Sequence, residues 1–186
     1  ILRQSARRIW HFFATFVTAE DRYLPPDNFQ EDPEPVIAHR SSPTNFGLYL
    51  LSALAAKDFG WVGVRELAER WWQTLGAMDN LGKYEGHFLN WYETTTGRPL
   101  EPRYVSSVDN GNLAGHLIVV AQAAEELADA RFQFSLRRDG LNDTLRAIFE
   151  IYENHEDGLQ SSVRKRLQDI QGMLLRKGPV DGYFWN

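Results

Sequence analysis

The residues most able to do chemistry lie together at Tyr84-Glu85-Gly86-His87-Phe88-Leu89-Asn90-Trp91-Tyr92-Glu93. Four aromatics, a histidine, an amide and two carboxylates share these ten positions, and Ser106-Ser107-Val108-Asp109-Asn110-Gly111-Asn112 follows close behind. Flat rings beside amides and carboxylates suit a sugar, which offers an apolar ring face and a rim of hydroxyls. About thirty residues here separate two apolar helical patterns, where a plain helix connection takes ~2–8. Long ordered connections commonly carry function. The same aromatics would also serve as caps over a core, and composition does not separate the two readings.

Cleavage or transfer of a glycosidic bond needs two carboxyl groups ~5–9.5 Å apart, one acting as acid and one as base or nucleophile. Glu85, Glu93, Asp109, Asp27, Glu31 and Asp32 are the candidates. Each has a structural alternative: Asp109 as a helix cap, Asp27 and Asp32 as turn residues in a proline-rich segment. No G-x-S-x-G, H-E-x-x-H, P-loop or G-x-G-x-x-G occurs, so serine hydrolase, zincin and nucleotide-cradling chemistries lack their signatures. The five histidines, at 11, 39, 87, 116 and 155, have no metal-ligand spacing. His11 and His155 read as surface residues, and His116 as a satisfied core residue. No metal and no cofactor is expected in this region.

These groups must be positioned by helices. Ile9, Phe12, Phe13, Phe16 and Val17 make one apolar stripe over residues 2–19, with Arg3, Arg7 and Arg8 as a solvated edge. Residues 20–42 hold Pro25, Pro26, Pro33 and Pro35, a density that forbids helix. They read as a linker, or as a loop anchored by Phe29, Val36 and Ile37. Ser42-Pro43 is a helix start, and the helix over 43–58 is apolar nearly all round, as is the one over 110–128, capped by Asp109. Amphipathic helices follow over 64–79 and 143–154, the latter capped by Asn142, and over 159–177. In the last of these, Arg164, Lys165 and Arg166 read as a solvated face. The final residues, 178–186, read as another aromatic loop.

Bulk properties agree with one globular unit of 186 residues. The formal charge of −5 gives no general attraction to nucleic acid or anionic lipid. The absence of cysteine removes disulfides and thiolate metal sites and agrees with a reducing compartment. No apolar run approaches the ~20 residues of a membrane span. The chain opens on Ile1 rather than Met, as expected of a piece cut from a longer polypeptide, or of a processed or trimmed one.

A weak repeat underlies the helices. Ser42 with Asp109, Asn45 with Asn112 and Leu50 with Leu117 all keep an offset of 67 residues. Each unit pairs an amphipathic helix with an almost wholly apolar one, the pattern of a toroid of helical hairpins with apolar helices on its inner ring.

Four blocks carry a resemblance to a known family: Leu24-Pro25-Pro26-Asp27-Asn28-Phe29-Gln30-Glu31-Asp32-Pro33; Ala38-His39-Arg40-Ser41-Ser42-Pro43-Thr44-Asn45 with Gly47-Leu48-Tyr49-Leu50-Leu51; Gly86-His87-Phe88-Leu89-Asn90-Trp91-Tyr92; and Tyr104 through Leu117. They resemble the start of the central, glucoamylase-like region of cyclic β-1,2-glucan synthases. The resemblance implies an all-α fold, helical hairpins of an (α/α)6 toroid that is incomplete in this chain, so that residues 1–186 form a single partial domain. It implies a very large multi-pass parent at the cytoplasmic face of the bacterial inner membrane, with UDP-glucose as donor for a separate glycosyltransferase region. It implies β-1,2-glucan and the remaining regions of the same polypeptide as partners. Trp91 and Tyr92 are expected to stack on glucose rings. Asp27, Asn28, His39, Arg40, Asn45, His87, Asn90, Asp109 and Asn112 are expected to meet the hydroxyls. At about 67 residues per hairpin, 186 residues supply fewer than three of six hairpins. The family's catalytic carboxylates are expected outside these blocks, so no nucleophile or acid is assigned and the chain by itself is expected to be inactive. Two further readings stay open: an inverting β-glucan hydrolase of similar fold, and a non-catalytic helical scaffold.

Overall fold

The computed structural model describes residues 2–128, 134–153 and 160–175. Six helices carry the described chain: α1 (Leu2–Phe16), α2 (Pro43–Asp58), α3 (Val64–Asp79), α4 (Ser107–Ala128), α5 (Phe134–Glu153) and α6 (Ser161–Leu175). The class is all-α, as expected. Short antiparallel ribbons stiffen the connections: β1 (Phe29–Gln30) with β2 (Val36–Ile37), β3 (Arg40–Ser41) with β6 (Tyr92–Glu93), and β4 (Lys83–Tyr84) with β5 (His87–Phe88).

The central element is α2. Ser42 caps it from extended backbone, its Oγ accepting from the Asn45 N–H, and Pro43 takes the first turn, where no N–H is needed. Phe46, Tyr49, Leu50, Ala53 and Ala56 are all buried, a face of helical spacing. The helix closes in a Schellman turn: Gly60 N–H bonds the Lys57 carbonyl, Trp61 N–H bonds the Ala56 carbonyl, and Gly60 sits at φ +79°. The chain then reverses into α3, which packs antiparallel on α2. Trp71 Nε1 donates to the Leu50 carbonyl at 3.0 Å, and Arg70 reaches the Tyr49 hydroxyl at 3.4 Å.

α1 also lies antiparallel to α2, with Arg3 donating to the Phe59 carbonyl and Phe13 against Tyr49. Its buried face is only in part the one expected, with Phe13 and Val17 on the core as foreseen. Trp10 and Val17 are buried while Ile9 is 62% exposed, because the stripe turns toward Tyr49 and Arg70, whose guanidinium covers Trp10. Arg3 and Arg7 are not a solvated edge. Arg3 pairs with the buried Asp143 of α5, which also accepts from Trp61 Nε1, and Arg7 lies over the Trp61 ring.

Two helix starts and one loop differ from expectation. Ser106, not Asp109, caps α4: its Oγ accepts from the Asp109 N–H and its carbonyl from the Asn110 N–H. The two caps are therefore 106 − 42 = 64 residues apart, and Asp109 is freed for another bond. α5 begins well before Asn142, which lies inside the helix and accepts from Gln171 of α6. The proline-rich segment is an ordered loop, fixed by fully buried Leu24, Pro25 and Pro26 rather than by Val36, which is exposed. His155 and residues 178–186 lie outside the described residues.

α2 and α4 run side by side in the same direction. Gly47 lets them approach: a Cβ there would fall 2.9 Å from His116 Cβ and overlap the imidazole ring. His116 is therefore a packing residue, but its buried Nδ1 has no protein hydrogen-bond partner among the described residues. α4 is not buried on most sides: Ile118 is 71% and Val119 47% exposed, since only the face with Leu113, Val120 and Ala123 is covered.

Gly47→Ala tests this contact. Helix propensity alone would gain about 1 kcal/mol, whereas overpacking a tight contact costs ~1–3 kcal/mol. Urea denaturation is expected to show a net loss of stability, reversed to neutrality or gain when the same change is made in His116→Ala protein. A more stable Gly47→Ala single variant would contradict the contact.

Candidate functional site

The parallel docking of α2 and α4 brings their N-termini together, and the polar residues of the two long loops converge there. Two consecutive residues in the first turn of α2 each hold a different carboxylate. Thr44 Oγ1 donates to Asp109 Oδ1 at 2.6 Å, and Asn45 Nδ2 donates to Asp27 Oδ1 at 3.3 Å. Helix N-termini favour anionic groups. Asp27 also accepts from Arg40 at 3.0 Å and from Asn28 at 3.1 Å. Asn112 Nδ2 donates to Thr44 Oγ1 at 3.2 Å, closing the cluster from the α4 side.

Trp91 joins it through Arg40, whose guanidinium lies 5.0 Å from the centre of the indole ring. β3 and β6 place them: Arg40 pairs with Glu93 and Ser41 with Tyr92. Side chains alternate along a strand, and directly paired residues share a face. Ser41 and Tyr92 therefore turn inward together, both 0% exposed, while Arg40 and Trp91 are left on the other side.

Tyr92 is thus not a stacking platform. Its hydroxyl donates to the Gly82 carbonyl and accepts from the Leu89 N–H, both at 2.7 Å, and its ring packs against Phe46 and Phe88. Burial pushes its phenol above the usual tyrosine range, partly offset by the Leu89 bond. Asn90 is buried at 7% exposure and offers a ligand little surface; its N–H bonds the Tyr104 carbonyl. His87 is exposed on the β4–β5 hairpin. Asn110 docks that hairpin onto α4 by holding both the N–H and the carbonyl of Phe88.

His39 is fixed from behind. Its Nδ1–H donates to Asp21 Oδ1 at 2.7 Å, and the buried Asp21 also accepts from the Thr94 hydroxyl. The Thr94 N–H bonds the His39 carbonyl, so both long loops share this pin. Of the candidate residues, Asp27, Asn28, Arg40, Asn45, Trp91, Asp109 and Asn112 form one connected group. His39 flanks it, and Tyr92 and Asn90 support it from within.

Asp21, Thr44, Thr94 and Asn110 are the positioning residues that sequence reading passed over. Thr44 lies next to the helix start and could have been read from it. Asp21 and Thr94 are 73 residues apart, and nothing local announces their bond. Glu93 is bonded to Thr96, and Glu31 and Asp32 are exposed. Among the described residues no set of His, Asp or Glu is arranged to hold a metal ion.

Over 182 aligned residues the chain is 47% identical to the cyclic β-(1,2)-glucan synthase NdvB of Rhizobium meliloti. The match covers 93% of this chain and 6% of that protein. The chain is homologous to a segment of a cyclic β-(1,2)-glucan synthase. It spans only that small fraction of its relative. No protein-family model matches. Two solved structures align at a TM-score of 0.42: candidate glucoamylases from Bacteroides fragilis, 18% identical, and Bacteroides caccae, 16% identical. They cover 92% and 91% of this chain and 34% of each of theirs. Among the described residues, no helix is long and apolar enough to cross a membrane.

Tyr92→Phe separates the supporting role from a platform role. It keeps the ring and removes two hydrogen bonds, so unfolding free energy is expected to fall by about 1–3 kcal/mol. The folded phenol is raised, so its contribution is full below the ordinary tyrosine pKa of about 10 and is lost as pH climbs above it. Alkaline denaturation should therefore be less steep in the variant, and unaltered stability at neutral pH would contradict the buried role.

Proposed function

We propose that this chain is the glucan-binding part of a region that transglycosylates linear β-1,2-glucan into rings, within a larger membrane-associated enzyme. The observation that carries the reading is the 47% identity across 93% of the chain to a cyclic β-(1,2)-glucan synthase. The site geometry supports it. Trp91 would stack on a glucose ring with the face that Arg40 leaves free. Asp27, Asn45, Asp109 and Asn112 would exchange bonds with hydroxyls at the paired helix N-termini. His39 and His87 would bond hydroxyls further along the glucan.

The helices fit the same reading. Two parallel apolar helices, α2 and α4, with α3 antiparallel behind them, are what successive hairpins of an (α/α)6 toroid require. The exposed Ile118 and Val119 would meet the next inner helix. The catalytic carboxylates would come from outside this chain, so the chain alone would bind glucan without turning it over.

Cyclisation by transglycosylation breaks one β-1,2 bond and forms another. The hydroxyl at the non-reducing end attacks the anomeric carbon, and the displaced chain leaves with the reducing end and the proton. No water is consumed. The whole polypeptide, given linear β-1,2-glucan and followed by mass spectrometry, should yield products one water lighter than linear chains. Only shorter linear products would favour an inverting hydrolase instead, and an unchanged glucan would leave a scaffold. Loss of Trp91 in Trp91→Ala is expected to weaken glucan affinity on the order of tenfold or more, the size of one stacked aromatic; unchanged affinity would remove Trp91 from the site.

A further inference from the structure

A second feature lies in the same aromatic loop as Trp91. Lys83, Tyr84, Leu89, Arg103, Tyr104 and Val105 line an open groove of about 460 Å³, within the ~300–1,000 Å³ range of small-ligand sites. Tyr84 is 60% and Tyr104 51% exposed, among the large apolar side chains left most open in the loops. Neither is used by the core or by the site described above.

The groove is built rather than incidental. Its two walls come from segments about twenty residues apart in sequence. They are tied by the Asn90 N–H bond to the Tyr104 carbonyl at 2.8 Å. The Lys83 wall is a hydrogen-bonded hairpin held to α4 by Asn110. The chemistry of the lining points away from an anion. Lys83 is engaged by the Asp79 carbonyl and lies over the Phe88 ring, and Arg103 is paired with Glu101 at 2.9 Å. Both cations have local partners, and beside them the groove offers two exposed tyrosines with Leu89 and Val105. That combination takes a neutral ligand with apolar faces and a hydroxyl rim.

Leu89 is two residues from Trp91, at most roughly 7 Å along the chain. We infer that Tyr84 and Tyr104 form an outer saccharide subsite, which holds the part of a long neutral glucan that extends past Trp91. The inference rests on the glucan-binding reading of the Trp91 cluster. It adds that affinity depends on chain length through these two tyrosines.

The test uses the whole polypeptide and two neutral probes, a β-1,2-linked trisaccharide and a decasaccharide, with affinities measured by thermophoresis. Tyr84→Ala and Tyr104→Ala are expected to weaken the decasaccharide by about tenfold each, as for other aromatic contacts, and to leave the trisaccharide unchanged. Tyr84→Phe and Tyr104→Phe should keep most of the affinity, since the ring remains. Both positions are exposed, so melting temperatures should match the parent. If the tyrosine variants bind both probes as the parent does while Trp91→Ala weakens both, the outer subsite is overturned and the glucan-binding reading stands. If the parent protein binds neither probe, that reading falls and the subsite with it.

Discussion

The close parallel contact between α2 and α4 is the constraint on which the site depends. It exists because Gly47 has no side chain where the His116 ring lies. Side-by-side packing at that point sets the two N-termini next to each other, so that Thr44 of one helix reaches Asp109 of the other. Helix ends carry unsatisfied N–H groups and a partial positive charge. Here two such ends gather Asp27 and Asp109 and the amides around them, making a surface of fixed donors and acceptors. A surface of that kind suits hydroxyls, which both give and accept hydrogen bonds.

The loops that frame it would be costly to order if left to themselves. They are held by a few bonds between segments remote in sequence. β3 and β6 join the proline-rich loop to the aromatic loop. Asp21, buried, ties His39 to Thr94. Tyr92 anchors the same loop to the core beneath. Because adjacent residues of an extended segment face opposite ways, burying Tyr92 is what leaves Trp91 outside, beside Arg40. The two neighbouring aromatics thus part, one fixing the loop and the other left beside Arg40.

Sequence reading went far where the signal was local. Ser42-Pro43 marks the start of α2 and Gly60 its end, and the structure puts them there. α3 follows its apolar spacing from 64 to 79. The reading failed where the deciding partner was distant. Asp109 looks like a cap in isolation, yet Ser106 lies ahead of it and Thr44 claims its carboxylate. Arg3 looks solvated until Asp143 of α5 is placed against it. The even spread of apolar residues on α4 does not say which face α2 covers. Trp91 and Tyr92 could be ranked together as platforms by composition, and only the β3–β6 register separates them. Most of the residues gathered at the paired helix ends were legible, and the bonds that hold them there were not.

Hydrogen–deuterium exchange of the whole polypeptide, with and without linear β-1,2-glucan, tests the central claim most directly. The paired helix ends and their loops are where the glucan is held in this account. Added glucan should slow exchange in peptides covering residues 27–45, 87–92 and 106–112, and leave α1 and α5 unchanged. Protection confined to α1 and α5, or no protection anywhere in this segment while the polypeptide binds glucan elsewhere, would contradict it.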